Sequence, residues 1–366
     1  MKQSIVMVVL LALASPAHAQ LGGLGGALKK AQQAKELKQQ VDGLTFSEEE
    51  ERKLGEDVSL KLRQRFGVVQ DADVHKYVML TGTVIAQQSE RPKLPWTFIV
   101  LDTDGVNAFA SPGGFVHITR GALGLLVNEA ELAAVLGHEV GHVTRQHTIN
   151  AIRKNNAVKL GSDQAGGRAG LIAAAANAVY DNVIENAYDR GDELDADRVS
   201  LELTQKAGYK TSTLGDFLNR LDQRNNSQKE RNGLFASHPE TKERITKIGQ
   251  LAASAKAAAL VEARYRTSIK YRPTEITAIA VATEGSAGLA GSGGKEPAKK
   301  EEPKKGLGLG ALKKTVAPEK QTGQVSASGG ARGIGADRAA KGGSNPNPVK
   351  VSVSAAEINA FRKGIA

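Results

Sequence analysis

The chain has 366 residues, 40% of them hydrophobic, and no cysteine. That permits one or two cored domains and excludes a disulfide scaffold, a thiolate metal site and a lipidated cysteine. The formal charge of +10 is uneven: from Thr283 onward there are 14 Lys/Arg against 7 Asp/Glu, leaving 35 against 32 before it. With 4% aromatics and no recognisable nucleic-acid module, this argues against nucleic-acid binding. The basic stretch reads as a solvated linker, or as a peripheral contact with the cell envelope.

Lys2 precedes an apolar run from Ile5 to Ala14, and Ala17-His-Ala19 forms an A-x-A cleavage signal before Gln20. Residues 1–19 therefore read as a secretory signal peptide, because the run is only about half of the ~20 residues a bilayer span needs. The expectation is an exported, soluble periplasmic protein. Residues 20–43, rich in Gly, Lys, Gln and Ala, read as a flexible segment.

Order is expected from about residue 44 to 275. Ser47 and Glu50 form a capping box for a helix running towards Phe66, and a second helix is predicted from Asp73 to Ser89. Trp96 to Leu101 reads as a buried strand. Val106 to Thr119 reads as two short strands joined at Ser111 to Gly114, where Pro and Gly supply the turn. His117 falls in an alternating strand, as a packed or surface residue. Asn128 and Glu131 cap the next helix, predicted to continue to about Asn150.

That helix carries His138-Glu139-Val-Gly-His142. Positions i and i+4 stack on one helical face, so two imidazoles can reach one metal ion while Glu139 sits about 100° around the axis. This is the layout of a zinc hydrolase, and Gly137 and Gly141 leave room for another backbone. His147 does not occupy the metzincin third-ligand position, where Thr148 stands, and reads as a surface histidine. Gly161 to Asn177 is rich in small residues and reads as a lid, a hairpin or a loosely packed helix.

A hydrolytic zinc site needs a third protein ligand and an open position. A further helix, ending near Gly208, carries Glu193 and Asp197 at i, i+4. A carboxylate on a separate helix can approach from the side the first helix leaves open, which suggests Glu193 as third ligand and Asp197, one turn later, as an acceptor for a ligand histidine's far nitrogen, though any acidic helix offers such pairs. In such a site Glu139 is the general base and acid for a zinc-activated water. Phe235 to Ile245 opens another helix with Pro239 in its first turn, and His238 is either a helix cap or a residue of the cleft, where it would stabilise the oxyanion or occupy the open metal position and hold an enzyme latent. The strand at Asn107, Ala108, Phe109 and Ala110 is a candidate substrate edge, to which an extended peptide can add.

Residues 276–350 hold most of a Gly-rich stretch, with 15 of the chain's 40 glycines between Gly285 and Gly343. The expectation there is disorder. Residues 351–366 recover a short helix behind a Ser354/Glu357 capping box.

Six runs carry a resemblance: Val106-Asn-Ala-Phe-Ala-Ser-Pro-Gly-Gly114, Thr119-Arg-Gly-Ala-Leu123, Asn128-Glu-Ala-Glu-Leu132, His138-Glu-Val-Gly-His142, Glu193-Leu-Asp-Ala-Asp197, and Ser237-His-Pro-Glu240 with Arg244. Across roughly Phe46 to Gln250 the chain resembles the gluzincin metalloproteases of the Ste-type CAAX protease, HtpX and BepA family, in the soluble periplasmic branch. The resemblance implies an α+β, mostly α zincin with a small edge sheet and one zinc ion held by His138, His142 and Glu193. It makes Asp197 the supporting carboxylate, His238 an active-site residue and Arg244 its candidate partner. It also implies a metalloendopeptidase acting on unfolded, stalled or misassembled envelope proteins. The rival class is an assembly chaperone that holds clients in the same cleft without cutting them. No membrane span is visible after the leader, unlike the CAAX proteases and HtpX. A Gly/Lys-rich tail stands where the BepA type has helical repeats, which weighs against docking to an outer-membrane assembly machine.

Overall fold

A computed structural model describes residues 45–155, 167–185, 188–228, 241–273 and 345–365. The expected leader, the 20–43 segment, His238 and most of the Gly-rich stretch lie outside these residues. Helix α1 (Glu48–Phe66) starts at the expected capping box, in which the Glu50 amide donates to Ser47 Oγ and the Ser47 amide donates to the Glu50 carboxylate. Its buried stripe is Leu54, Val58, Leu62 and Phe66, spaced at i and i+4. Helix α2 (Ala72–Ala86) is capped by Asp71 and ends three residues before the predicted Ser89.

Strands β1 (Thr97–Leu101), β2 (Ala108–Ser111) and β3 (Phe115–Thr119) form one sheet in the order β1-β3-β2. β1 runs parallel to β3, with Ile99 opposite His117, and β2 runs antiparallel to β3, with Phe109 opposite His117. The Pro112–Gly114 turn that joins β2 and β3 lies where expected. β2 is thus an edge strand, and helix α4 (Glu129–Thr144) packs on it and on β3.

Helices α3 (Arg120–Leu125) and α4 follow the sheet, and the Asn128 side chain accepts the Glu131 amide as predicted. The metal-motif helix stops at Thr144, however, and not near Asn150. Gln146 adopts a left-handed φ of 55°, and helix α5 (His147–Asn155) starts afresh. The chain then supplies α6 (Gly167–Glu185), α7 (Arg190–Ala207), α8 (Thr213–Gln228), α9 (Thr241–Ala252), α10 (Glu262–Ser268) and α11 (Ala355–Lys363). Of the small-residue segment, residues 167–177 are helical within α6, which packs on α1, α5 and β2. α7 ends at Gly208 with φ 95°, the left-handed stop expected there.

The most extensive helix pairing among the described residues is α4 against α7. Gly137 and Gly141 make it close. A Cβ at Gly137 would lie 3.2 Å from Ser200 Oγ, and one at Gly141 would lie 3.2 Å from the Ala196 Cα. At the opposite end of α4, fully buried Glu129 accepts from Tyr77 (2.8 Å), Tyr209 (2.6 Å) and the Arg264 guanidinium (2.6 and 2.5 Å). These contacts join α2, α4, α10 and the turn after α7.

The sheet's central His117 is fully buried, with Nε2 2.9 Å from Ser59 Oγ of α1. It is a packed histidine. Burial depresses its imidazole to about 3, assisted by the positive charge of Arg63, while Phe109 opposes the shift. Because this value lies below the ordinary one near 6.5, the unfolded chain binds the proton more readily. The stability contribution is complete above pH 6.5 and is lost as the pH falls towards 3, at up to ~1.4 kcal/mol per pH unit. Denaturant unfolding of His117→Gln over that window should show a shallower acid slope than wild type; identical slopes would refute the assignment.

Candidate metal centre

His138 and His142 sit in the second half of α4, His142 in its last turn, 4% and 1% exposed, and Glu193, 1% exposed, lies in the first turn of α7. Their positions follow from two local rules. The i, i+4 spacing puts both imidazoles on one face of α4, about 100° around the axis from the Gly137/Gly141 face that packs on α7. The Asp189 cap, whose side chain accepts the Asp192 amide, fixes the start of α7 so that Glu193 lies in the helix's electropositive first turn.

The three residues converge. His138 Nε2 and His142 Nε2 are 3.0 Å apart, and they lie 3.5 and 3.4 Å from Glu193 Oε2 and Oε1, respectively. Among the described residues this is the one His/Cys/Asp/Glu cluster close enough to share an ion. A tetrahedral ion with ligand bonds of about 2.0–2.1 Å requires donors roughly 3.3 Å apart, so the donor set fits one metal ion. Two imidazoles and a carboxylate suit zinc and other first-row divalent ions.

Each donor is held from behind. His138 Nδ1 lies 2.9 Å from Asp197 Oδ1, one turn along α7 from Glu193. Arg244 of α9, 2% exposed, donates to both Asp197 oxygens (2.8 and 2.7 Å) and lies 2.8 Å from Glu193 Oε2. Burial opposes charge on His138, but Asp197 and Glu193 outweigh it and hold the imidazole up at about 9. A proton and a metal ion therefore compete for that ring. Burial would raise the Asp197 carboxyl, and Arg244 and His138 overcome it, holding it at about 2. Burial likewise works against the Arg244 charge, which the two carboxylates restore.

His147, expected at the surface, is buried at 5% exposure behind His142, with the two Nδ1 atoms 3.0 Å apart. The left-handed Gln146 turns the chain so that α5 begins with this side chain beneath α4. Burial lowers the His147 imidazole, against the opposing charges of Asp192 and Asp195. The neutral ring has one N–H, and the geometry puts it on Nε2, facing those carboxylates at 3.7 and 3.5 Å. Nδ1 is then free to accept from His142, whose Nε2 points into the donor cluster. Tyr188 stacks on His142, with ring centroids 3.9 Å apart, and its hydroxyl pairs with Thr148 at 2.8 Å. The sequence reading missed His147 and Tyr188. A second imidazole five residues after a ligand was the available signal for the first, and a lone tyrosine gives none for the second.

Glu139 is fully buried on α4 beside His138. Asn107 and β2 residues Ala108, Phe109 and Ala110 are also buried. Asn107 pairs with Thr119, and the other three pair with β3 at the sheet edge beside α4 and α6. Arg244 joins the two carboxylates, while its expected neighbour His238 lies outside the described residues.

Residues 72–252 match peptidase family M48. The chain carries a domain of that family. The chain is 25% identical over 213 residues to the beta-barrel assembly-enhancing protease of Yersinia pestis, a match covering 54% of this chain and 43% of that one. It is 26% identical over 189 residues to the Escherichia coli protein of the same name, covering 49% and 39%. It is 29% identical over 166 residues to the metalloprotease YcaL of Escherichia coli, covering 44% and 64%. The chain spans less than half the length of the two assembly-enhancing proteases.

The network behind the donors predicts two distinct phenotypes. His147→Ala should weaken metal affinity about 10- to 100-fold, measured by competition with a chromophoric chelator, with little change in Tm. Arg244→Leu should destabilise the fold by ~3–5 kcal/mol in denaturant titration, because it strands two buried carboxylates. Equal metal affinity in His147→Ala and wild type would remove His147 from the site.

Proposed function

We propose that the chain is a zinc-dependent endopeptidase of the bacterial cell envelope that cuts unfolded or misassembled envelope proteins. The observation that carries this reading is the convergence of His138, His142 and Glu193 on one point, with fully buried Glu139 adjacent to the first imidazole. In this reading those three residues hold one zinc ion, Asp197 and His147 fix the orientation of the two imidazoles, and Arg244 balances the two carboxylates. Zinc, when bound, supplies Lewis acidity and brings the pKa of water down to about 7.

Glu139 takes the proton of the attacking water and later delivers it to the leaving amine. His238, six residues before Arg244 in the chain, stabilises the developing oxyanion. Asn107 to Ala110, on and beside edge strand β2, receive the substrate as an added strand, with recognition through its backbone. Such recognition suits extended, unfolded polypeptides and is tolerant of sequence.

The envelope setting rests on the leader read at residues 1–19 and on the printed names of the relatives, two of which place a protease in β-barrel assembly. No helix among the described residues is long and apolar enough to cross a membrane.

Glu139→Gln separates hydrolysis from metal holding. The variant should keep about one zinc per chain by elemental analysis while casein hydrolysis falls by a factor of ~10²–10⁴. Hydrolysis at the wild-type rate would overturn the role of Glu139. Full restoration of cellular function by the inactive variant would favour the chaperone reading.

A further inference from the structure

We propose that residues 345–365 are a separable peptide ligand of the folded body. The surface beneath them, formed by residues 68–70, α2 and α10, is a recognition groove for this C-terminal sequence. The proposal is independent of the metal centre.

The segment is joined to the body only through residues 274–344, and its contacts divide into two recognition modes. Its first part is read through the backbone. The Val68 amide donates to the Asn345 carbonyl (2.7 Å), Arg63 to the Pro346 carbonyl (2.9 Å) and the Gln70 side chain to the Asn347 carbonyl (3.0 Å). Residues 345–350, expected within the low-complexity stretch, thus begin the docked segment. Val68 in turn bridges to Leu101 of β1, so the incoming chain lies along the outer margin of the sheet. The Asn347 amide donates to Asn345 Oδ1 (2.9 Å), and Pro346 and Pro348 restrict the free segment, which lowers the entropy cost of docking.

The second part is a helix in a groove. Ile358, Phe361 and Ile365, at i, i+3 and i+7, are 8%, 8% and 3% exposed and join the body's core. Phe361 meets Tyr77 edge-on at 6.0 Å, the Arg264 guanidinium lies 3.8 Å over its ring, and Arg264 donates to its carbonyl (3.1 Å). Polar pairs form the rim: Lys76 with Glu357 (2.6 Å) and Arg362 with Gln87 (2.6 Å). An apolar centre with a polar rim is the anatomy of a binding interface. A nine-residue helix is marginal in water, so α11 owes its order to the groove as well as to its Ser354/Glu357 capping box.

The test keeps the body unaltered. A specific protease site is introduced between residues 295 and 320 of the full chain, and the cut protein is passed over a sizing column. The C-terminal fragment should co-elute with the body at the mass of one chain, and excess synthetic peptide of residues 345–365 should displace it. The same peptide carrying Phe361→Ala should need about 100-fold more concentration, the scale expected for losing a buried aromatic anchor. Elution of the fragment alone after cutting, or equal displacement by both peptides, would overturn the proposal. Since the body carries no substitution at the groove, misfolding cannot produce either result.

Discussion

The candidate site depends on how closely two helix backbones approach. Donors on α4 and α7 meet within 3.5 Å only because Gly137 and Gly141 present no side chain to Ser200 and Ala196. A larger residue at either position would push α7 outward and carry Glu193 with it. Ser200 reinforces the approach by donating to the Ala134 carbonyl at 2.6 Å. The two glycines thus belong to the metal motif as much as the histidines they precede. Their cost in helix propensity, about 1 kcal/mol each, is offset by the packing they allow.

That approach creates an electrostatic demand which other elements meet. Glu193 and Asp197 face each other's charge inside the protein, and Arg244 arrives from α9 to bridge them. At the far end of α4, Arg264 pairs with the single carboxylate of Glu129. Helix α4 is therefore tied at its start by Glu129 to Arg264, and towards its end by His138 to the Asp197 that Arg244 holds. Glu51 plays a similar part on α1. It accepts from Arg91, from the Gly113 amide at the β2–β3 turn and from Gln146 at the α4–α5 joint. The edge strand and the residue that aims His147 are thereby tied to one carboxylate.

Much of this was legible in the sequence because it is local. Capping boxes at Ser47 and Ser354, the Asn128 cap, the Pro-Gly turn and the Gly208 stop each involve residues within four positions of one another. The His138/His142 face and the Glu193/Asp197 face follow from helical periodicity. What escaped depends on contacts distant in sequence or on one backbone angle. Gln146 carries no marker for a left-handed φ, so the helix appeared to run on and His147 appeared exposed. The C-terminal helix was readable from its capping box, whereas its docking surface comes from residues more than 90 positions away.

Counting formal charges around the donors gives one more consequence. Glu139, Glu193 and Asp197 are three buried carboxylates, and Arg244 is the guanidinium that joins the last two. With neutral imidazoles and all three acids ionised, this group carries an excess of two negative charges in a region from which water is largely excluded. A dication cancels that excess, whereas a monocation leaves half of it uncompensated. The protein thus favours a dication partly through Glu139, Asp197 and Arg244, which lie outside the donor set, before ligand geometry discriminates among metals of the same charge.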